Sequence, residues 1–187
     1  MKNPSESSRN ELYDFMQATK LPITNRGTFL AYRSIRRDWL DQHSGKMDNH
    51  LGKIIEMPRD KVNSNRNETC SAGLHFAGQQ YNAGWAYNKN GTWLTIIEIH
   101  PKDVVSIPTD YNNHKGRCCK FKVLDVALND KALEDLWFFS PQVATKEVFI
   151  NRIKKTKWGK TLTKAALNKF SREELVVQWM DAIDAEK

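Results

Sequence analysis

The chain has 187 residues, 40% hydrophobic and 27% charged, which suits one core of about 100–200 residues with or without a small satellite and excludes a fully disordered chain. Its 29 Lys and Arg stand against 22 Asp and Glu, a formal charge of +7. No apolar run approaches the roughly 18 residues of a membrane span, and the polar first ten residues lack the apolar stretch of a secretory signal, so a cytoplasmic protein without a transmembrane segment is expected.

The first element is a helix over residues 9–20. Ser8 and Glu11 have capping-box spacing, Leu12, Phe15 and Met16 form one apolar face, and Pro22 stops the helix, which should pack on the core. Strands are predicted over 28–35 (Phe29, Leu30, Tyr32, Ile35) and over 53–57, the latter ending at Pro58. Residues 79–87 suit a short helix between Gly78 and a turn at 88–91. The clearest strand covers 93–99. Its nearly continuous Trp93, Leu94, Ile96, Ile97 and Ile99 imply burial on both faces and a central place in the sheet. Strands over 104–107 and 119–126 complete the set.

After a hinge at 129–141 the pattern turns helical. Asn129, Thr145 and Thr161 can each cap a short helix. Ser171 and Glu174 form a second capping box ahead of the stripe Leu175, Val176, Trp179, Met180 and Ile183. The fold class is therefore α+β: a small mixed or antiparallel sheet core with an N-terminal helix (1–24), a core (25–128) and a basic helical C-terminal unit (129–187).

The charge is concentrated. Residues 151–170 hold Arg152, Lys154, Lys155, Lys157, Lys160, Lys164 and Lys169 with no Asp or Glu, and without those seven cations the chain is neutral. A solvated helical face is the bland reading, but such faces usually mix signs. The absence of carboxylates favours contact with an anion, either nucleic-acid phosphates with Trp158 interleaved or an anionic membrane surface.

The stretch 27–126 carries the blocks GTFLAYRSIR, HSGKMDNHLGKIIEMPRDKV, NRNETCSAGLHFAG and EIHPKDVVSIPTDYNNHKGRCCKFKVLDV. It resembles the N-terminal domain of the phage rIIB-type rapid-lysis proteins. The resemblance implies action during infection, protection of the phage from host or prophage exclusion systems, an rIIA-type partner and association with the inner face of the host membrane. A second similarity is architectural. A strand with AYRS, a CSAGLHFAG turn, a short helix and the strand TIIEIHP are similar in order to ADP-ribosyltransferase cores, which implies a dinucleotide site with Arg33 in the first place and His75 in the second. That pattern also needs a late Glu, and residues 119–126 offer Lys120 and Lys122 instead, so the main electrostatic component of such chemistry is missing.

Individual sites follow from these readings. Cys70 with His75, His43 and His50 lacks the paired short spacings of a zinc site, so no metal is expected. Alternation in 73–76 sends Leu74 and Phe76 to the core and leaves His75 on the other face. The odd cysteine count, with Cys118 and Cys119 adjacent, points to reduced thiols, and the pair reads as two small apolar fillers rather than a nucleophile served by His114. Loops at 65–67, 110–113 and 115–117 suit turns. Arg66 and Arg117 could serve there as forks for an anionic ligand beside Arg33 and His75. No nucleotide fingerprint is present and no cofactor is expected. The function expected is a non-catalytic phage accessory protein that binds a host defence or exclusion component inside the infected cell, with a peripheral contact to the inner membrane as an option. An ADP-ribosyltransferase-like or nucleotide-handling enzyme and a nucleic-acid-binding regulator acting through 152–169 are the alternatives.

Overall fold

A computed structural model describes residues 3–78, 92–109, 111–127 and 144–185. The chain forms two compact units, Met1–Pro141 and Gln142–Lys187. The helices expected at 79–87 and after Asn129, the turn at 88–91 and the hinge at 129–141 lie outside the described residues or largely so.

In the first unit, helix α1 spans Glu6–Thr19 and begins earlier than the sequence suggests. Ser5 is the cap, its hydroxyl accepting the Ser8 N–H, and Lys20 closes the helix in the left-handed region at φ 51°. Ser8 and Glu11 therefore sit within the helix, turned inward. The Ser8 hydroxyl donates to the Val105 carbonyl at 2.6 Å, and the Glu11 carboxylate accepts the Ile107 N–H at 2.8 Å. The capping-box spacing is present, but its groups are used for docking.

Seven strands follow: β1 (Phe29–Arg36), β2 (Ile54–Glu56), β3 (Leu74–Ala77), β4 (Thr92–Ile99), β5 (Val104–Ser106), β6 (Lys115–Cys118) and β7 (Lys120–Ala127). Their order is β2-β7-β4-β1-β3-β6-β5, with every pairing antiparallel. The fold is α+β. β4 lies between β7 and β1 and is buried almost throughout, as its apolar run requires. β6 corrects the expectation of a loop at 115–117. Its polar residues form a buried strand because Lys115 and Arg117 direct their charges to main-chain carbonyls, while Gly116 leaves room for the Phe76 ring, which lies 2.1 Å from where a Cβ would stand.

The strand order also fixes the curvature. Only Cys119 separates β6 from β7, yet β4, β1 and β3 stand between those two strands in the sheet. Four flat inter-strand steps would cover about 19 Å, whereas two Cα steps reach at most about 7.6 Å. The sheet must therefore roll back on itself. Phe29 and Phe76 lie on one face of it, and Phe15 of α1 packs on both, with ring centroids 6.4 and 5.3 Å away.

In the second unit, α2 (Lys146–Lys154), α3 (Lys157–Thr161), α4 (Lys164–Leu167) and α5 (Arg172–Asp184) surround Phe149, Ile150, Ile153, Leu167, Leu175, Val176, Trp179 and Met180. Thr145 caps α2 and the Ser171/Glu174 capping box opens α5, as expected. The cap expected at Thr161 is instead Thr163, because residues 157–161 already form α3, capped by Thr156. At Gly159 a Cβ would stand 1.8 Å from the Ile153 carbonyl oxygen, so only glycine fits where α3 crosses the end of α2.

Candidate functional site

Arg33 projects from β1 on the face that carries Phe29, since side chains two and four residues apart along a strand share a face. Its Nε donates to the Asn49 side-chain oxygen at 3.3 Å, and Nη1 donates to the His75 carbonyl at 2.7 Å. The guanidinium carbon lies 5.1 Å from the Phe121 ring centroid, a cation–π geometry. Burial lowers its pKa. This is a cation held by neutral dipoles and a π-face. Asn49, which was not singled out in the sequence, is fully buried and is the polar group that orients it.

His75 stands on the opposite face of β3 from Leu74 and Phe76, as alternation predicts. Arg33 therefore bonds the His75 main chain rather than its imidazole. His75 pairs across the sheet with Arg117, and Lys115 lies two residues away on the same face. Its pKa is pushed down to about 4, first by burial and then by Lys115, Arg33 and Arg117; its Nε2 is buried with no hydrogen-bond partner among the described residues. The imidazole is thus neutral at physiological pH.

Arg117 is fully buried. It donates to the carbonyls of Glu68 (2.9 Å) and Asn65 (2.6 Å) and to the Ser106 hydroxyl (3.3 Å), while the Lys115 ammonium donates to the Thr69 carbonyl (3.0 Å). The loop between Lys61 and β3 is thereby pinned. Its own side chains close it further: Asn63 and Asn65 donate to Glu68, and the Thr109 N–H donates to the Arg66 carbonyl at 3.1 Å. Arg66 is half-buried in this loop, its Nε without a partner among the described residues. The two arginines expected at a ligand rim are thus placed at the loop, with the Arg117 fork occupied by main-chain oxygens. Side-chain direction was the missing information; a buried strand with alternating cations was the only available signal.

The Cys118 and Cys119 thiols are chemically quiet. Burial raises the pKa of Cys118, whose Sγ lies 3.4 Å from the Leu74 carbonyl, and raises that of Cys119. Thiolate, the nucleophilic form, is therefore suppressed. Among the described residues no group of three or more His, Cys, Asp or Glu side chains is placed to hold a metal ion, and no helix is long and apolar enough to cross a membrane.

Three cations of the basic segment have contacts within the second unit that the sequence does not foretell. Arg152 stacks between Phe149 and Trp179 with its guanidinium carbon 5.0 and 4.7 Å from their centroids, Lys154 donates to the Gly159 and Leu162 carbonyls, and Lys164 pairs with Glu147 at 2.6 Å. Lys155, Lys157, Lys160 and Lys169 are exposed, as is Lys164 despite its ion pair.

Comparison with known proteins places this geometry in context. The sequence model of the family described as "Bacteriophage T4 protein rIIB" matches residues 1–143. Protein rIIB of Enterobacteria phage T4 is 38% identical over 125 residues, which cover 67% of this chain and 39% of that protein. The chain thus matches about two fifths of the length of that curated relative. No solved structure matches.

Proposed function

The chain belongs to the bacteriophage T4 protein rIIB family, and from that premise we propose that it is a phage accessory protein that protects infection by binding a host defence or exclusion component without catalysing a reaction. The family match over residues 1–143 carries this reading. The disposition of the polar groups supports it: Arg33, Lys115 and Arg117 donate to oxygens of the protein itself, an arrangement that builds a rigid surface rather than a reacting centre. In this reading the protein acts on the cytoplasmic side of the infected cell, and contact with the inner membrane is peripheral.

The test is complementation. The intact chain, supplied from a plasmid, should restore plating of a phage that lacks its own rIIB-type gene on a host carrying an exclusion prophage. His75→Gln, which removes the imidazole of the alternative enzyme reading, should restore plating equally. Failure of the soluble, folded chain to complement would overturn the proposed role. Complementation lost with His75→Gln while folding and partner capture persist would replace a binding module with an enzyme.

A further inference from the structure

Arg33 is a half-buried cation of β1 whose surroundings leave its charge unanswered. The bonds from Nε to the Asn49 side-chain oxygen and from Nη1 to the His75 carbonyl, at 3.3 and 2.7 Å, use two of the five N–H groups of the guanidinium. The Phe121 ring, 5.1 Å from the guanidinium carbon, takes one of its faces. The remaining N–H groups, both of those on Nη2 included, have no acceptor among the described residues.

The groups whose negative charge reaches Arg33 are Cys118 and Asp41, and neither answers it. Cys118 stays a neutral thiol because burial pushes its pKa up. The Asp41 carboxylate is already filled: it accepts the Ser44 N–H and hydroxyl, both at 2.6 Å, and the Lys46 and Met47 N–H groups at 3.1 and 2.8 Å. Other arginines of the first unit differ. Arg26 pairs with Glu98 at 2.7 Å and Arg36 with Asp38 at 2.8 Å, while buried Arg117 reaches three protein oxygens. A charge withdrawn from water is costly to leave without a counter-charge.

We propose that the open end of the Arg33 guanidinium is the recognition point of a binding site for a small carboxylate ligand. A carboxylate brings one negative charge, equal to the one left over, and its two oxygens match a pair of guanidinium N–H groups. A phosphate group, with a charge of about −1.5 to −2 at pH 7, would bring an excess. The guanidinium is oriented before a ligand arrives. Asn49 is fully buried, its Nδ2 donating to the Met47 carbonyl and its N–H to the Trp39 carbonyl, both at 2.7 Å, so its side-chain oxygen is fixed against Nε. The His75 carbonyl belongs to β3, and Phe121 is a buried residue of β7. Groups held in this way lower the ordering cost of binding. The site calls for no reaction and is independent of the proposed role in protecting infection.

Titration of the isotope-labelled intact chain with sodium acetate, the ionic strength held constant with sodium chloride, tests the proposal through the NMR signal of the Arg33 Nε–H group. The shift should saturate with a dissociation constant on the order of 1 mM, since acetate has few atoms to contribute. Asn49→Asp supplies the missing negative charge from within the protein and should weaken acetate binding by about tenfold or more. Arg33→Met should abolish binding, read from the neighbouring main-chain signals, and Arg36→Gln, at the exposed pair with Asp38, should leave it within about twofold. Circular dichroism reports whether each variant is folded; if Arg33→Met is not, the intact chain and Asn49→Asp still decide. The proposal is overturned if the Arg33 signal does not move, if it drifts without saturating well above the expected constant, or if Asn49→Asp binds acetate as the intact chain does. It is equally overturned if chloride or inorganic phosphate at the same ionic strength moves the signal as far as acetate, the mark of an adventitious ion only, or if Arg36→Gln loses binding as Arg33→Met does.

Discussion

Replacing Arg117 with methionine tests whether the loop before β3 is held by charge or only by packing. Methionine keeps much of the buried volume and removes every donor. Two main-chain carbonyls, of Glu68 and Asn65, then lose contacts of 2.9 and 2.6 Å, and the Ser106 hydroxyl loses one of 3.3 Å. Each buried acceptor left unsatisfied costs about 1–3 kcal/mol, and removing a buried cation offsets part of that sum. The net expectation is a loss of about 2–4 kcal/mol, limited by the loop's ability to swing out and hydrate its carbonyls. Urea unfolding of the intact and variant chains measures the loss. Trypsin cleavage after Arg66 reports the loop directly, because Arg66 is half-buried there and its carbonyl is bound by Thr109; cleavage should accelerate in the variant. Arg117→Lys, whose single ammonium cannot serve two carbonyls as a fork does, should fall between the two. If Arg117→Met unfolds within about 1 kcal/mol of the intact chain and Arg66 is cut no faster, the pinning argument is refuted.

Three further outcomes follow from described contacts. His75 is a base whose folded pKa of about 4 lies below its ordinary 6.5, so stability is complete above pH about 6.5 and falls as pH drops toward about 4, because the unfolded chain then binds a proton that the native chain excludes. The whole effect is about 3 kcal/mol; urea midpoints against pH should show it, His75→Gln should flatten it, and a native His75 titrating near 6 by NMR would contradict it. Gly116→Ala places a Cβ within 2.1 Å of the Phe76 ring and should cost about 3 kcal/mol or prevent folding, read from thermal melts. Glu11→Leu leaves the buried Ile107 N–H without its acceptor and should cost about 1–3 kcal/mol in the same melts, whereas Glu11→Gln should cost less than about 1 kcal/mol.

The features that were legible in the sequence are those whose partners are close in the chain. The Ser171/Glu174 box could be read because both of its bonds close within three residues, and β4 because an unbroken apolar run needs no knowledge of its neighbours to require burial. Ser8 and Glu11 show the limit. Their spacing matches a cap, but their acceptor and donor are Val105 and Ile107, nearly a hundred residues away. The same limit hid β6. Lys115, Gly116 and Arg117 have the composition of a turn, and only the distant carbonyls of 65, 68 and 69 make a buried strand of them. In the basic segment all seven cations look alike in one dimension. The distinction between Lys154, which binds α3, and Lys155, which faces outward, depends on where α2 ends and how Gly159 lets the chain cross it. Arg33 was singled out by resemblance, whereas its contacts Asn49 and Phe121, 16 and 88 residues further along the chain, gave no local signal.

The roll of the sheet also governs the order of events at the ribosome. β1 is complete after Arg36, but its eight-residue partner β4 ends at Ile99, and β2 waits for β7, which ends at Ala127. At a synthesis rate of about 5–20 residues per second, roughly 5 to 18 s pass between the completion of β1 and that of the last strand. During that interval the growing chain carries strand edges with no partner, the state in which nascent β-structure is most open to pairing with the wrong chain. The strand that follows Cys119 is the one that supplies partners to both β2 and β4.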